Sequence, residues 1–377
     1  MEVLQVSHRY PPAIGGVENY AQRLTDSLRE SGHDVSVLTT SLSLDEGADA
    51  AIREEAQYCQ TTATISRNPV SVDLYRALRR TDADICHLHS PYLLTSLEAA
   101  HGLPADTPSV VTVHGFPAYH DLASTLRNLA YRPFAQYVYD AVDGVVVLGP
   151  SERDRLLNRY DVDPAKVRVV PNGIEPDVCD VPESAVREFR EEHGLDPSTP
   201  TVLFVGRLIP WKNPGVLVES VVTHLTDLDL DVVVVGEGKR KFVDNLKRRA
   251  DGRFTFVPGL PWRDLLPAYF ASDVFAILSK SEGLSTVVLE AMNSRLPIVT
   301  TPVGALGDVV TDGINGLTIE QPPSPTAVAD ALRHYCENPD ERRRVGQRNR
   351  EYVRESYAWA DIADRIEEMY QKLQKTD

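Results

Sequence analysis

Five consecutive apolar residues, Val274-Phe275-Ala276-Ile277-Leu278, lead within three positions into Ser281-Glu282-Gly283-Leu284-Ser285-Thr286-Val287-Val288-Leu289-Glu290, and this stretch restricts the fold more than any other. A short run with no polar face reads as a parallel strand covered on both sides. The segment after it reads as a glycine turn opening a helix. Gly283 permits the turn, Ser285 or Thr286 can cap the helix, and the free backbone N–H groups of that helix end sit beside the positive pole of its dipole. Such a turn suits an anionic ligand, and the backbone of Gly283, Leu284, Ser285 and Thr286 is the expected contact. Glu282 precedes the turn and Glu290 lies about one helical turn beyond it. A carboxylate accepts hydrogen bonds from a vicinal diol, so a phosphate turn bracketed by two carboxylates points to a sugar nucleotide. Either glutamate taken singly reads better as a solvated surface charge, and it is the pair in this frame that favours a ligand.

The same strand–turn–helix logic runs through the chain twice, and 377 residues suit two domains of ordinary size. The first half opens with Val3-Leu4-Gln5-Val6, then a loop holding Gly15-Gly16-Val17-Glu18. A helix follows with Val17, Tyr20, Ala21, Leu24 and Leu28 at helical spacing, and Asp34-Val35-Ser36-Val37-Leu38 is the next strand. This order is Rossmann-like, which brings a nicotinamide dehydrogenase into consideration. Adjacent glycines in place of G-x-G-x-x-G, and a second strand ending Leu38-Thr39-Thr40 with no acid for a ribose, argue against it. Further strands are read at Ile85–His89, Ser109–His114, Gly144–Leu148 and Val167–Val170. Ligands of such open sheets bind beyond the carboxyl ends of the strands, where His89 and His114 stand. His87 and His89 alternate onto one face and Cys86 onto the other. No paired spacing among them supports zinc. Asp82-Ala83-Asp84 has a cation-binding form but falls at the wrong end of its strand, and is assigned to a loop.

Residues 119–143 combine Leu122, Leu126, Leu129, Phe134, Tyr137, Val138 and Tyr139 with Arg127 and Arg132. Such a stretch suits packing on the sheet, contact with a membrane surface, or grip on an apolar acceptor, and Pro133 is expected to interrupt it. After Pro171-Asn172-Gly173-Ile174 a turn-rich run marks the domain boundary, giving domains 1–175 and 176–354. The second begins with strand Thr201–Val205 and the loop Gly206-Arg207-Leu208-Ile209-Pro210-Trp211-Lys212-Asn213. Two fixed cations there, Arg207 and Lys212, can neutralise a diphosphate without a metal. Val232-Val233-Val234-Val235-Gly236-Glu237-Gly238, Phe254–Val257 with Leu260 after it, and Pro297–Gly304 continue the alternation. The fold class is therefore α/β, two doubly wound parallel-sheet domains facing a central cleft.

A formal net charge of −16 argues against broad nucleic-acid binding, which needs a basic face. A composition 42% hydrophobic and 25% charged, with no apolar run near the ~20 residues of a membrane span, is that of a soluble globular protein. The start at Met1-Glu2-Val3 lacks signal-peptide features, so a cytoplasmic location is expected, at most peripheral at the inner face of the cell membrane. Cys59, Cys86, Cys179 and Cys336 are scattered and read as free thiols.

Together, Gly15-Gly16-Val17-Glu18, His114-Gly115, Pro171–Ile174, Gly206-Arg207-Leu208 with Lys212, Val235–Gly238, the Glu282/Glu290 pair and Pro297–Gly304 resemble the retaining glycosyltransferases of family 4, with the two-Rossmann GT-B fold, over nearly the whole length. That resemblance implies roles. Glu290 would hold the nucleotide ribose and the backbone of Leu284 to Thr286 the diphosphate, with Arg207 and Lys212 stabilising the leaving group. Gly15 and Gly16 would let a loop close over it, and the backbone near Leu260 would meet the base. Glu282 and His114 would sit at the transferred sugar. It also implies hexosyl transfer with retention and without a metal or other cofactor. The acceptor would be a glycan or lipid-linked molecule of cell-surface polysaccharide, glycolipid or glycoprotein assembly. The tail, residues 355–377, would cross back to the first domain. The alternatives are a phosphorylase or sucrose-type synthase on the same scaffold, or a silent nucleotide-sugar-binding protein. Asn213, Arg295 and Asp308 depart from the family pattern, where Gly, Gly and Glu are common.

Overall fold

The computed structural model describes residues 1–13, 15–43, 56–65, 68–117, 122–176 and 181–375. Ile14, residues 119–121 of the aromatic stretch and Cys179 lie outside the described residues. Two compact units are present: Met1–Asn172 together with Trp359–Asp377, and Gly173–Ala358.

The first unit holds β1 (Glu2–Val6), β2 (Asp34–Thr40), β3 (Gln57–Cys59), an outlying antiparallel hairpin of β4 (Ala63–Ile65) and β5 (Asn68–Val70), then β6 (Ile85–His89), β7 (Ser109–Val113), β8 (Gly144–Val147) and β9 (Val167–Val169). Its main sheet has the spatial order β3-β2-β1-β6-β7-β8-β9, every neighbour parallel. Alternate residues serve opposite faces. Leu4, Val6, Cys86, Leu88, Val111, Val113, Val145 and Val147 form one core with Ala135, Val138 and Tyr139 of the helix Leu122–Ala141. Val3, Ile85, Val110 and Val146 face the other way, onto Tyr20, Leu24 and Leu28 of the helix Gly16–Glu30. The tail helix Trp359–Gln374 completes this second core with Ile362, Ile366, Met369 and Tyr370. Asp84 accepts a hydrogen bond from the backbone of Glu2 at 2.8 Å, which closes the amino end of the sheet.

Pro133 does not interrupt its helix, contrary to the sequence reading: Leu122–Ala141 runs through it. The ring removes one donor and crowds the preceding turn. Pro133 lies on the exposed side, so water can satisfy the carbonyl it leaves unpaired.

The second unit holds β10 (Thr201–Val205), β11 (Asp231–Val235), β12 (Phe254–Val257), β13 (Val274–Ile277), β14 (Ile298–Thr300) and β15 (Gly316–Thr318), ordered β12-β11-β10-β13-β14-β15 and wholly parallel. Val202, Phe204, Val232, Val234, Val274 and Ala276 form one face of its core with Leu217, Val221, Val328 and Leu332. Strand order reverses between β10 and β13, so their carboxyl-end loops diverge and leave the crevice in which doubly wound sheets bind ligands.

Arg295, just past the helix Thr286–Asn293, has φ 63°, and the Leu296 amide bonds back to the Ala291 carbonyl at 3.0 Å. A left-handed residue at a helix end is ordinarily glycine. The Arg295 side chain is exposed, so Arg295→Gly removes backbone strain without removing packing. It is expected to raise stability by up to about 1 kcal/mol, read as a rise of about 2–4 °C in melting temperature.

Candidate active site

Three loops meet at the reversal point of the second sheet. The loop after β10 is fastened on both sides: the Leu208 amide donates to the Glu237 carbonyl at 2.6 Å, and the Lys280 amide donates to the Trp211 carbonyl at 2.8 Å. Asn213 sits at φ 52° and its side-chain amide donates to the Leu278 carbonyl at 2.7 Å. An asparagine tolerates this left-handed backbone and adds the tether that a glycine would lack. Gly236 and Gly238 after β11 admit the close approach of the same loop. A Cβ on Gly238 would stand 2.1 Å from the Leu208 carbonyl oxygen. Gly238→Ala is therefore expected to displace Arg207 and Leu208 and to weaken the nucleotide affinity that the sequence predicts at least about tenfold by titration calorimetry, since a misplaced binding loop forfeits its oriented contacts.

These tethers place the two cations. The Arg207 guanidinium lies 6.0 Å from the centre of the Trp211 ring and is exposed. Lys212 reaches the loop after β13 and pairs with Glu282, their side chains 12% and 11% exposed. The turn then runs through Gly283, buried Leu284 and Ser285 into the helix Thr286–Asn293. Ser285 takes the N-cap position with extended backbone, but its side chain makes no capping bond, nor does Thr286 serve as the cap. The sequence expectation of a hydroxyl cap is thus corrected. Glu290 accepts a hydrogen bond from the Tyr269 hydroxyl at 2.7 Å, which fixes the carboxylate from the neighbouring helix Trp262–Phe270. Leu260 stands on the loop after β12, half-buried.

Gly15, Gly16 and His114 belong to the first unit. A Cβ on Gly15 would meet the Glu18 carboxylate at 2.2 Å, so the glycine leaves room for that buried acid to fold back over the helix start. His114 follows β7, half-buried at the carboxyl edge of the sheet. Its Nε2 lies 3.1 Å from Nδ1 of His89, whose Nε2 is 2.8 Å from Oε1 of Gln5. His87 is held between Thr112 and Tyr370 of the tail helix, at 2.6 and 2.5 Å. Burial pushes all three imidazoles down: His87 to about 3, and His89 and His114 well below the ordinary value, neighbouring histidines adding to the effect. His8 falls to about 4 for the same reason, with Arg9 adding to it. All four are neutral at pH 7. No group of three or more His, Cys, Asp or Glu able to hold a metal occurs among the described residues. Cys59, Cys86 and Cys336 are buried free thiols.

Sequence reasoning did not single out Tyr269, Trp211 or Gln5 as site residues. Tyr269 meets Glu290 only through tertiary packing, and no spacing announces it. Gln5 had a signal: it is a polar residue inside an apolar strand.

A doubly wound sheet that places a lysine, an arginine, a helix start and two carboxylates at its reversal point has the make-up of a site for an anionic, hydroxyl-bearing ligand. The family model Glycosyl transferases group 1 matches residues 185–352, and the model Glycosyltransferase Family 4 matches residues 14–178. The chain belongs to glycosyltransferase family 4, has the GT-B fold, and is a glycosyltransferase. It is 27% identical to D-inositol 3-phosphate glycosyltransferase of Corynebacterium glutamicum, over 94% of this chain and 91% of that one. To alpha-maltose-1-phosphate synthase of Mycolicibacterium smegmatis it is 28% identical, over 99% and 100%. Among solved structures, sucrose-phosphate synthase from Thermosynechococcus elongatus superposes with a TM-score of 0.83 at 19% identity, covering 100% of both chains. Anabaena HepE in complex with UDP and glucose gives 0.83 at 15% identity, covering 99% and 100%.

Proposed function

We propose that this glycosyltransferase moves a hexosyl group from a nucleoside-diphosphate sugar to a glycan or lipid-linked acceptor, with retention of anomeric configuration and without a metal. The observation that carries the reading is the Lys212–Glu282 pair standing beside the helix start at 286, with Arg207 on the same tethered loop and Glu290 held by Tyr269. The cations and the free helix amides would take up charge developing on the departing diphosphate, which is the work a divalent ion does elsewhere. Glu290 would accept the ribose hydroxyls. Glu282 and His114 would meet the transferred sugar. With no nucleophile assigned, the acceptor would attack the face that the diphosphate leaves, and a phosphate oxygen would receive its proton.

Incubation with UDP-, GDP- and ADP-hexoses in EDTA, followed by NMR of the product, tests this. Release of one nucleoside diphosphate and a product with the donor's anomeric configuration are expected. Inversion, or activity abolished by EDTA and restored by Mg²⁺, would contradict it.

The acceptor has two candidates. Leu129, Phe134 and Tyr137 project from the helix Leu122–Ala141, 61%, 48% and 43% exposed, which supports an apolar or membrane-bound acceptor met peripherally. No helix among the described residues is long and apolar enough to cross a membrane. The names of three relatives contain a phosphorylated sugar or polyol, which favours a soluble phosphosugar acceptor in the manner of a sucrose-type synthase. Parallel assays with inositol phosphate, glucose 1-phosphate, fructose 6-phosphate and a polyprenyl-linked sugar separate the two.

A further inference from the structure

Gln5, His89 and His114 of the first unit form a directional chain, of which the reading above uses only His114. Thr25 donates its hydroxyl proton to the Ala21 carbonyl at 2.8 Å, so toward Gln5 its oxygen accepts. The Gln5 amide nitrogen therefore donates to Thr25, at 2.9 Å, and Oε1 is left as the acceptor facing His89. Only an N–H satisfies that oxygen. His89 accordingly carries its single proton on Nε2, and its Nδ1 is a bare lone pair. The partner facing that lone pair is Nε2 of His114, at 3.1 Å, which must then be the protonated nitrogen. The ring positions are fixed independently of the protons. His87 and His89 stack with centres 4.9 Å apart, and Tyr20 packs edge-on against His114 at 4.7 Å and His89 at 5.7 Å. Gln5, Thr25 and His89 have no exposed surface, so water does not compete for these bonds.

We infer that Gln5 and His89 are positioning residues that lock His114 in the Nε2–H form, so that its Nδ1 is a hydrogen-bond acceptor that takes a sugar hydroxyl and refuses a phosphate oxygen. This rests on the proposed place of His114 at the transferred sugar. Two like-acting acceptors cannot share a proton, so an anion gains nothing from a bare Nδ1, whereas a neutral sugar hydroxyl donates to it directly. The specificity would originate three residues away, in the direction imposed at Thr25.

The test uses the full-length chain, ¹⁵N-labelled at histidine, with no ligand bound. Long-range ¹H–¹⁵N correlation spectra report which ring nitrogen carries the proton, and His→Gln variants assign the signals. The wild type is expected to show His114 protonated on Nε2. In Gln5→Met the acceptor is gone, His89 gains by moving its proton to Nδ1, and His114 should switch to the Nδ1–H form while the His87 signals persist. A wild-type His114 protonated on Nδ1, or one whose form is unchanged in a folded Gln5→Met, overturns the inference. The wild-type spectrum decides the first point even if Gln5→Met does not fold. With UDP-glucose, GDP-mannose and ADP-glucose as probes, Gln5→Met should lower kcat about tenfold and leave affinity for the free nucleoside diphosphate unchanged. A switched His114 with unchanged kcat would overturn the assignment of the sugar hydroxyl as its partner. Failure of the wild type to bind any nucleotide would instead remove the functional reading and leave the result on the proton's place intact.

Discussion

Lys212→Ala is expected to lower glycosyl transfer by about 10²–10³, the usual cost of removing one preorganised group that stabilises transition-state charge, with the fold retained. The lysine is placed by its loop, which the Leu208–Glu237 and Lys280–Trp211 backbone bonds hold from both sides, so truncating the side chain leaves the scaffold in place. In the structure its charge is matched by Glu282. Without the lysine, that carboxylate would face the donor diphosphate unneutralised, which adds repulsion to lost attraction. Arginine is a poor replacement at this position: its planar fork prefers bidentate partners, and the lysine acts as a compact point charge. Steady-state rates with melting curves on the same preparations check this. A loss below about threefold with an unchanged melting temperature would show that Lys212 carries no share of the leaving-group charge.

The second large effect is on pH stability. His87 titrates near 3 in the native chain against about 6.5 for an unfolded histidine, and His8 near 4. Between those values the unfolded chain binds protons that the native chain refuses. Stability is therefore full above about pH 6.5 and is lost progressively as pH falls toward 3. Every tenfold difference in proton affinity between the native and unfolded chains is worth about 1.4 kcal/mol, and His89 and His114 act in the same direction. Glu98 opposes them: burial raises it to about 6, so it gains stability on acidification, but it is displaced less far than the histidines. Net losses of several kcal/mol are expected between pH 6.5 and 4, visible as a falling urea midpoint. Because all four histidines lie in Met1–Asn172, that unit should unfold first. His87→Gln should flatten the dependence, and a midpoint flat from pH 7 to 4 in the native chain would mean these rings accept protons inside the fold.

The long strands were legible because burial on both faces forces continuous apolar runs, as in Val232–Val235 and Val274–Leu278. The short β3, β4, β5 and β15 were not. Ala63–Ile65 is exposed throughout, and β5 contains Pro69, so neither shows apolar alternation. Pro133 misled because its effect depends on which side of the helix faces water. The glutamate spacing and the two loop cations could be read from sequence as local patterns, but the tethers that place the cations, Leu208 on Glu237 and Lys280 on Trp211, join distant segments and could not. Tyr269 on Glu290, and the Thr25–Gln5–His89 chain, depend on neighbours 20 or more positions apart brought together by sheet order. Arg295 and Asn213 departed from the family's glycine, yet both keep the left-handed backbone that glycine serves.

The most direct test of the central claim, that the second unit binds a nucleoside diphosphate without a metal, is a thermal-shift titration. The chain, Lys212→Ala and Glu290→Ala are compared against UDP, GDP and ADP with and without EDTA. A ligand that binds only the native state raises the melting temperature by mass action. One nucleotide should do so, insensitive to EDTA and weakened in both variants. No rise with any of the three in a folded protein, or a rise in both variants equal to that of the native chain, would contradict the account.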